Sequence, residues 1–285
     1  MKHLYWHKQQ LVMLGPKFRG LPDSHASKPK CLYWLSQLFH STGHFVEEKQ
    51  LLTQNLELWR RLDNHFEVAT TLEFLSEVNY QLGLCADGIQ QAKESLRMFE
   101  KLDHTLGQAD SLRQLAQLLL QDKQLGAAEE AISKSVNLLL DKGEDFRVCQ
   151  CYLLLGRICH SKGEIEKATK HFGMALRIAS PNWSNLQFWV HYALAELFFD
   201  QGMLNDAHAH IECAKLHSAN DSYNLGRAME QQAQFWYEEG KFGEAELEAL
   251  HAVSEYGKVG AVRDVEDCRS LLQKIEMKMT KLAIH

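Results

Sequence analysis

The sequence predicts an all-α protein: an α-solenoid of about six helical hairpins with a period of about 40 residues, closed by a C-terminal capping helix. Only four prolines occur among 285 residues, and three of them precede residue 30, so little interrupts helical hydrogen bonding afterwards. Alternating runs of Val, Ile and Thr, which are typical of strands, are absent from the sequence. A pattern of small residues also recurs around evenly spaced turns.

The turns of the six hairpins are predicted at intervals of 40, 40, 40, 39 and 38 residues, at Gly43, Gly83, Lys123, Gly163, Gly202 and Gly240. Glycine suits the C-terminal end of a helix because it adopts the left-handed conformation without a steric penalty. Lys123 is the exception to the pattern.

Small residues hold a fixed register relative to these turns. Seven residues before each turn stand Ser36, Ser76, Ala116, Gly156, Ala195 and Ala233. The register is most regular in the fourth hairpin, Tyr152–Ala179, which also has Ala168 and Ala175 on its second helix. Small side chains allow two helices to approach closely, so these positions are predicted to be packing positions, and Cys159 is predicted to be a core residue.

In chain order, residues 1–29 are predicted to be irregular, because they are rich in Gly, Pro and Ser, with a short helix possible at Leu4–Leu14. Residues 30–258 form the repeat array. Residues 260–282 form the capping helix, with Val265, Cys268, Leu272 and Ile275 facing inward. The hairpins are expected at about 30–62, 70–102, 110–140, 148–179, 187–217 and 225–256.

This register resembles the tetratricopeptide repeat (TPR), which has a small residue in its first helix, a turn glycine and two alanines in its second. The resemblance covers roughly residues 30–258 and is weaker in the first two hairpins, where Glu48 and Asn55 replace small residues. The TPR period is about 34 residues. The longer period here predicts longer helices or longer links, with links at RRLDNHFEVAT, EKLDHTLGQAD, LLDKGEDFRVC and HSANDSYNLGR. The resemblance implies a right-handed superhelix whose first helices line a concave face.

A closer resemblance is to the C-terminal TPR region of mushroom-type fungal STAND NTPases, relatives of NOD-like receptors. It is carried by LYWHKQQLVMLGPKFRG, HYALAELFFDQGMLNDAHAHIECAKLHS and GRAMEQQAQFWYEEG. The family's nucleotide-binding motif G-x-x-x-x-G-K-[ST] is absent, since Gly240–Lys241 and Gly257–Lys258 are followed by Phe242 and Val259. The resemblance therefore implies, as an alternative function, a ligand-sensing arm whose ATPase module is absent from this chain.

Composition disfavours several classes of function. The formal net charge of −6 lacks the basic excess that nucleic-acid binding needs. No run of about 18 apolar residues predicts a membrane span. The N-terminus makes a poor signal peptide, because Lys8 and two glutamines break its apolar run. Seven scattered cysteines indicate reduced thiols, so a cytoplasmic protein is expected.

No motif in the sequence predicts catalysis, a cofactor or a metal site. The best metal candidates are His210, Cys213 and His217, which share one helical face, but no fourth ligand is evident. Cys159 and His160 are adjacent on a helix and cannot face each other as nucleophile and base. We therefore expect a protein that is not an enzyme.

The predicted function is a scaffold that binds a peptide or partner protein in the concave groove. Helix positions thirteen, ten, six and three residues before each turn are predicted to line that groove. Two central arginines offer planar forks for a carboxylate or phosphate, beside an aromatic patch that offers contact area. The chaperone-tail clamp of the TPR family is absent, since Tyr33 and Gln37 stand at its first positions. The predicted partner-binding residues are Arg113, Gln117, Leu153, Arg157, His160, Trp189, Tyr192, Glu196 and Tyr237.

Overall fold

The structure is a computed structural model that describes residues 27–41, 43–140, 142–218 and 221–283. Within these ranges the chain forms thirteen α-helices and no strand, which confirms the all-α helical-repeat solenoid class. The first twelve helices form six hairpins, and the thirteenth is single. The expected irregular N-terminal segment and the short helix at Leu4–Leu14 lie outside the described residues, except that the first helix already begins at Ser27.

The helices follow one another in antiparallel hairpins joined by short turns. Their bounds are α1 Ser27–Ser41, α2 Phe45–Arg61, α3 His65–Gln81, α4 Cys85–Lys101, α5 Thr105–Gln121, α6 Leu125–Leu139, α7 Asp145–Ser161, α8 Ile165–Ile178, α9 Ser184–Asp200, α10 Leu204–His217, α11 Ser222–Glu238, α12 Phe242–Val259 and α13 Val262–Ala283. Among the described helices, none combines the length and the apolar character that a bilayer crossing requires.

Between Phe45 and Gln121 the long period comes from long helices and not from long links. Helices α2 to α5 each have 17 residues and are separated by three-residue turns. The expected link RRLDNHFEVAT is the end of α2, the turn 62–64 and the start of α3, so the prediction of a longer link is wrong there. Asp63 and Asp103 adopt positive φ angles of 53° and 50° in the turns between hairpins. Aspartate tolerates this conformation, so these turns are as tight as those with glycine.

The turns within the hairpins have the geometry that their glycines predict. At Gly83 the φ angle is 72°, its N–H donates to Tyr80, and the N–H of Leu84 donates to the carbonyl of Asn79. These two bonds satisfy carbonyls that the end of α3 would otherwise leave open. Lys123 adopts the same left-handed conformation, with φ 61°.

We expect Lys123→Gly to raise the free energy of unfolding by about 1 kcal/mol, because glycine removes the steric cost of the left-handed conformation. Urea denaturation followed by circular dichroism measures the change. Gly83→Lys is the matched reverse substitution, since an added Cβ meets nothing within 4 Å there. It should lower stability by a similar amount, and equal stability of all three proteins would contradict the assignment.

The chain divides into two compact units, Met1–Leu154 (unit 1) and Leu155–His285 (unit 2), and the boundary falls within α7. In unit 1, one core cluster packs the buried faces of α2 and α3, including Leu52, Trp59 and Leu72. In unit 2, one cluster joins α9, α10 and α11 around Phe188, and another joins α11, α12 and α13. Consecutive helices therefore pack side by side within each unit, as in a helical-repeat protein.

The predicted packing register of the fourth hairpin is confirmed. Gly156, Ala168 and Ala175 are buried, and Cys159 is a core residue. A Cβ at Gly156 would lie 2.5 Å from Cδ1 of Phe172, so the ring of α8 occupies the space that the glycine leaves. All seven cysteines lie in the described ranges and none forms a disulfide.

The first hairpin accommodates a glutamate where the repeat expects a small residue. Glu48 is 1% exposed, and its Oε2 lies 3.1 Å from Nδ1 of His40 on the facing helix. This hydrogen bond raises the pKa of His40. The buried carboxylate thus has the imidazole of His40 as a hydrogen-bond partner, which reduces the cost of its burial.

Candidate functional site

Unit 2 contains an open cavity of about 850 Å³ that we call the C-terminal groove. It is bounded by α9 and α11, the first helices of the fifth and sixth hairpins, together with the single helix α13. The residues that α9 and α11 contribute at the positions predicted from the repeat register are Tyr192, Glu196, Phe199, Arg227, Glu230 and Gln234. A cavity of this volume is typical of ligand-binding sites.

Aromatic rings form the apolar part of the groove. Phe199 and Phe235 stack with ring centroids 4.1 Å apart and an interplanar angle of 7°. Tyr192 lies against Phe188 of the core and against Trp189. These contacts hold the rings in place on their helices, so the apolar surface of the groove is formed before a ligand binds.

Arg227 lies among aromatic rings at the edge of the groove. Its Cζ is 5.0 Å from the ring centroid of Trp189, 5.8 Å from that of Tyr192 and 6.0 Å from that of Tyr223. Guanidinium groups at these distances interact favourably with the faces of aromatic rings. Trp189 contacts Arg227 but does not itself line the groove.

Carboxylates dominate the polar part of the groove. Burial, opposed by the charge of Arg157 and reinforced by that of Asp200, raises the pKa of Glu196. Burial also raises the pKa of Glu230, although the hydroxyl of Tyr256 donates to its Oε2 over 2.7 Å. Ionisation of these two carboxyl groups therefore costs free energy, and a bound cation would reduce that cost.

The other predicted residues of unit 2 take different places. His160 lies in the groove, where its Nε2 is 2.8 Å from Oδ2 of Asp200. Arg157 is exposed and does not line the groove. Tyr237 packs against Phe242 beside the core of α11, α12 and α13, and it too is outside the lining.

In unit 1, Arg113 lies within a network of ionisable groups. Its charge lowers the pKa of Glu73, but burial and the carboxylate of Asp110 outweigh it and raise that pKa to about 8. Arg147 of α7 contacts Asp110 with an Nε–Oδ2 distance of 3.0 Å. Arg113 therefore stands beside internal carboxylates, and an anionic partner would compete with them.

Gln117 and Leu153, the other two predicted residues of unit 1, are half-buried on α5 and α7. Neither shares the C-terminal groove, which lies wholly in unit 2. The structure therefore gathers only part of the predicted set into one cavity.

Sequence reasoning missed the contribution of the last helices. Asp264, Asp267 and Lys274 of α13 line the groove, as does Tyr256 of α12. The predicted core residues Cys268 and Ile275 of α13 are buried, as is Leu271. The spacing of Asp264 and Asp267 on one face of the capping helix was the available signal, but nothing in the sequence shows which helix that face meets.

The histidine cluster has an additional member that the sequence did not indicate. His191 of α9 places its Nδ1 2.9 Å from Nδ1 of His210, and its ring stacks on that of His217. Burial and the two neighbouring imidazoles lower the pKa of His191 to about 4. The rings of His191 and His217 lie parallel, at 12°, so they stack on each other instead of converging on one metal position.

A scan of family models and a search of curated proteins find no match to this chain. Solved structures do match. A Rap protein in complex with competence and sporulation factor has a TM-score of 0.72 at 13% identity, over 96% of this chain and 81% of that one. The Rap conjugation gene regulator of plasmid pLS20, in complex with the Phr* peptide, has a TM-score of 0.62 at 14% identity, over 89% and 74%.

A third match is a kinesin light chain with TPR-like repeats from Podosopora anserina, with a TM-score of 0.53 at 14% identity, over 69% of this chain and 97% of that one. At these identities the likeness shows the fold alone, and it supports a TPR-type fold. The resemblance to fungal STAND NTPases finds no support in these matches and stays a prediction from the sequence.

Proposed function

We propose that this protein is a non-catalytic interaction scaffold that holds a peptide segment of a partner protein in the C-terminal groove. The observation that carries the proposal is the groove itself: about 850 Å³ of open space lined by a stacked pair of aromatic rings and by ionisable groups. Aromatic residues contribute much of the binding energy at protein interfaces, and charged groups around them select the partner.

The repeat architecture supports this proposal. Helices α9 and α11 are the first helices of their hairpins, the position that the TPR resemblance assigns to the binding face. One structure of similar fold, the pLS20 regulator, is in complex with a peptide. Both points favour a peptide as the occupant of a groove between such helices.

The chemistry of the groove supports a non-catalytic role. Ser270 is the one serine among the described residues that line the groove. Its hydroxyl donates to the backbone carbonyl of Glu266 on the same helix, with an Oγ–O distance of 3.0 Å. A nucleophile would instead need a neighbouring general base. Tyr256 stays protonated and donates to Glu230, because burial and that carboxylate both raise its pKa.

A blocking substitution tests the proposal. Gln234 is exposed and lines the groove, so Gln234→Trp should fill it and lower the affinity for displayed random peptides at least about tenfold. Gln273→Trp is the matched control, since Gln273 is exposed on α13 and does not line the groove. Peptides selected on the parent chain should bind this control unchanged. Equal binding to the parent and both variants would overturn the proposal.

A further inference from the structure

We propose that the occupant of the C-terminal groove is a basic segment, a stretch of a partner protein that carries two or more lysine or arginine side chains. The inference rests on the proposed function and adds the chemical class of the partner. Arg113 and Arg157, which the sequence predicted to attract a carboxylate or phosphate, do not line this groove.

The charge balance of the groove is the first argument. Six carboxylates line it, against the two permanent cations Arg227 and Lys274. The carboxylates come from three helices, so no single surface segment accounts for them: Glu196, Asp200, Glu230, Glu238, Asp264 and Asp267. An excess of four negative charges in a concave site focuses a potential that attracts cations.

Two of the basic side chains of the groove are already engaged. Arg227 lies over the rings of Trp189 and Tyr192, and His160 contacts Asp200. Burial raises the pKa of Glu196 and that of Glu230, and a neighbouring carboxylate, Asp200 or Asp264 respectively, adds to each rise. The charge of Arg157 opposes the rise at Glu196, and the hydrogen bond from Tyr256 opposes it at Glu230. A positive side chain entering the groove would relieve this repulsion.

A buried amide provides a second, independent observation. Gln231 lines the groove and is 9% exposed, and its Oε1 has no hydrogen-bond partner among the described residues. An unpaired buried acceptor costs about 1–3 kcal/mol. Arginine and lysine side chains and the peptide backbone all have hydrogen-bond donors that would pair with this oxygen. An ionised carboxylate or phosphate group has no such donor.

The apolar part of the groove fits the same partner. Lysine and arginine carry long aliphatic stems that pack on apolar surfaces while their charged ends stay near water or carboxylates. The stacked pair Phe199 and Phe235 offers such a surface within the groove. Basic side chains would therefore use both the aromatic and the acidic parts of the site.

The test uses three fluorescein-labelled octapeptides that share five positions and differ at the other three. The first has two arginines and a lysine at those three positions, the second has three glutamates, and the third has three glutamines. We expect the basic peptide to bind at least about tenfold more tightly than the other two in 50 mM NaCl, and its affinity to fall as salt is added. Asp264→Asn/Asp267→Asn should weaken this binding about tenfold. Glu266→Gln/Glu276→Gln removes two charges from exposed positions of α13 outside the lining and should leave it unchanged.

Lys274→Gln should have the opposite effect on affinity, since removing a competing cation should tighten the binding of the basic peptide. Tighter binding of the glutamate or glutamine peptide, blocked by Gln234→Trp, would overturn the basic assignment and leave the proposed function standing. Absence of groove-dependent binding by any peptide would overturn both. Full displacement of the basic peptide by an equal concentration of spermine would show a site for free polyamines and overturn the peptide assignment.

Discussion

Gly156→Ala is expected to lower the free energy of unfolding by about 2 kcal/mol, whereas Gly173→Ala, on the facing helix, is expected to raise it by about 1 kcal/mol. At Gly156 a Cβ would lie 2.5 Å from Cδ1 of Phe172, whose ring is fully buried, so relieving the contact requires the surrounding core to shift. The overpacking then outweighs the gain in helix propensity. At Gly173 a Cβ meets nothing within 4 Å, so only the propensity gain remains.

Urea denaturation of the two variants and the parent measures both signs in one experiment. The double variant Gly156→Ala/Phe172→Leu should be more stable than the sum of its single changes predicts, because the smaller side chain makes room for the methyl group. Two variants that change stability in the same direction, or an additive double variant, would contradict the close contact between α7 and α8.

Glu73→Gln is expected to stabilise the protein at pH 9 by about 2 kcal/mol and to have little effect near pH 5. Burial, together with the charges of Asp110 and Glu77, raises the pKa of Glu73 to about 8, against the opposing charges of Arg113 and Arg147. The folded state therefore holds a proton that the unfolded state releases from about pH 4.5 upward. Glu73 stabilises the fold fully below that pH, and this contribution is lost as the pH rises through about 8.

The measurement is chemical denaturation of the parent and the Gln variant at pH 5, 7 and 9. Glutamine cannot ionise, so the advantage of the variant should grow steadily with pH. Glu57→Gln, at an exposed position of α2, is the matched control and should show no such growth. A constant difference between Glu73→Gln and the parent across this range would refute the half-buried, protonated carboxyl group.

The repeat was predictable because its determinants are local. The turns at Gly83 and Gly163 and the small residues at Gly156 and Ala168 stand at fixed spacings in the sequence, and the structure places them as expected. The turns between hairpins were predicted less well. Asp63 adopts there the left-handed conformation that is usually expected of glycine. Because no glycine marks this tight turn in the sequence, the segment was predicted to be a long link.

The candidate site was predictable only in part. Tyr192 and Glu196 line the groove as the register predicted, because the repeat determines which face of α9 points away from its own hairpin. Tyr237 follows the same register but packs beside Phe242, because α12 and α13 cover that end of α11. A helical register describes the faces of one helix and contains no information about which other helices will cover them.

The sequence by itself determined the all-α class, the six hairpins and their packing positions, because helix periodicity, turn conformation and small-residue spacing act over a few residues of chain. Only the tertiary structure decided the sign of the net charge in the groove. Its charge arises where α13 packs across α11 and brings Asp264 and Asp267 to the cavity that Glu230 lines. Electrostatic potential depends on distances in space, so arginines that are prominent in the sequence count less than carboxylates that folding brings together.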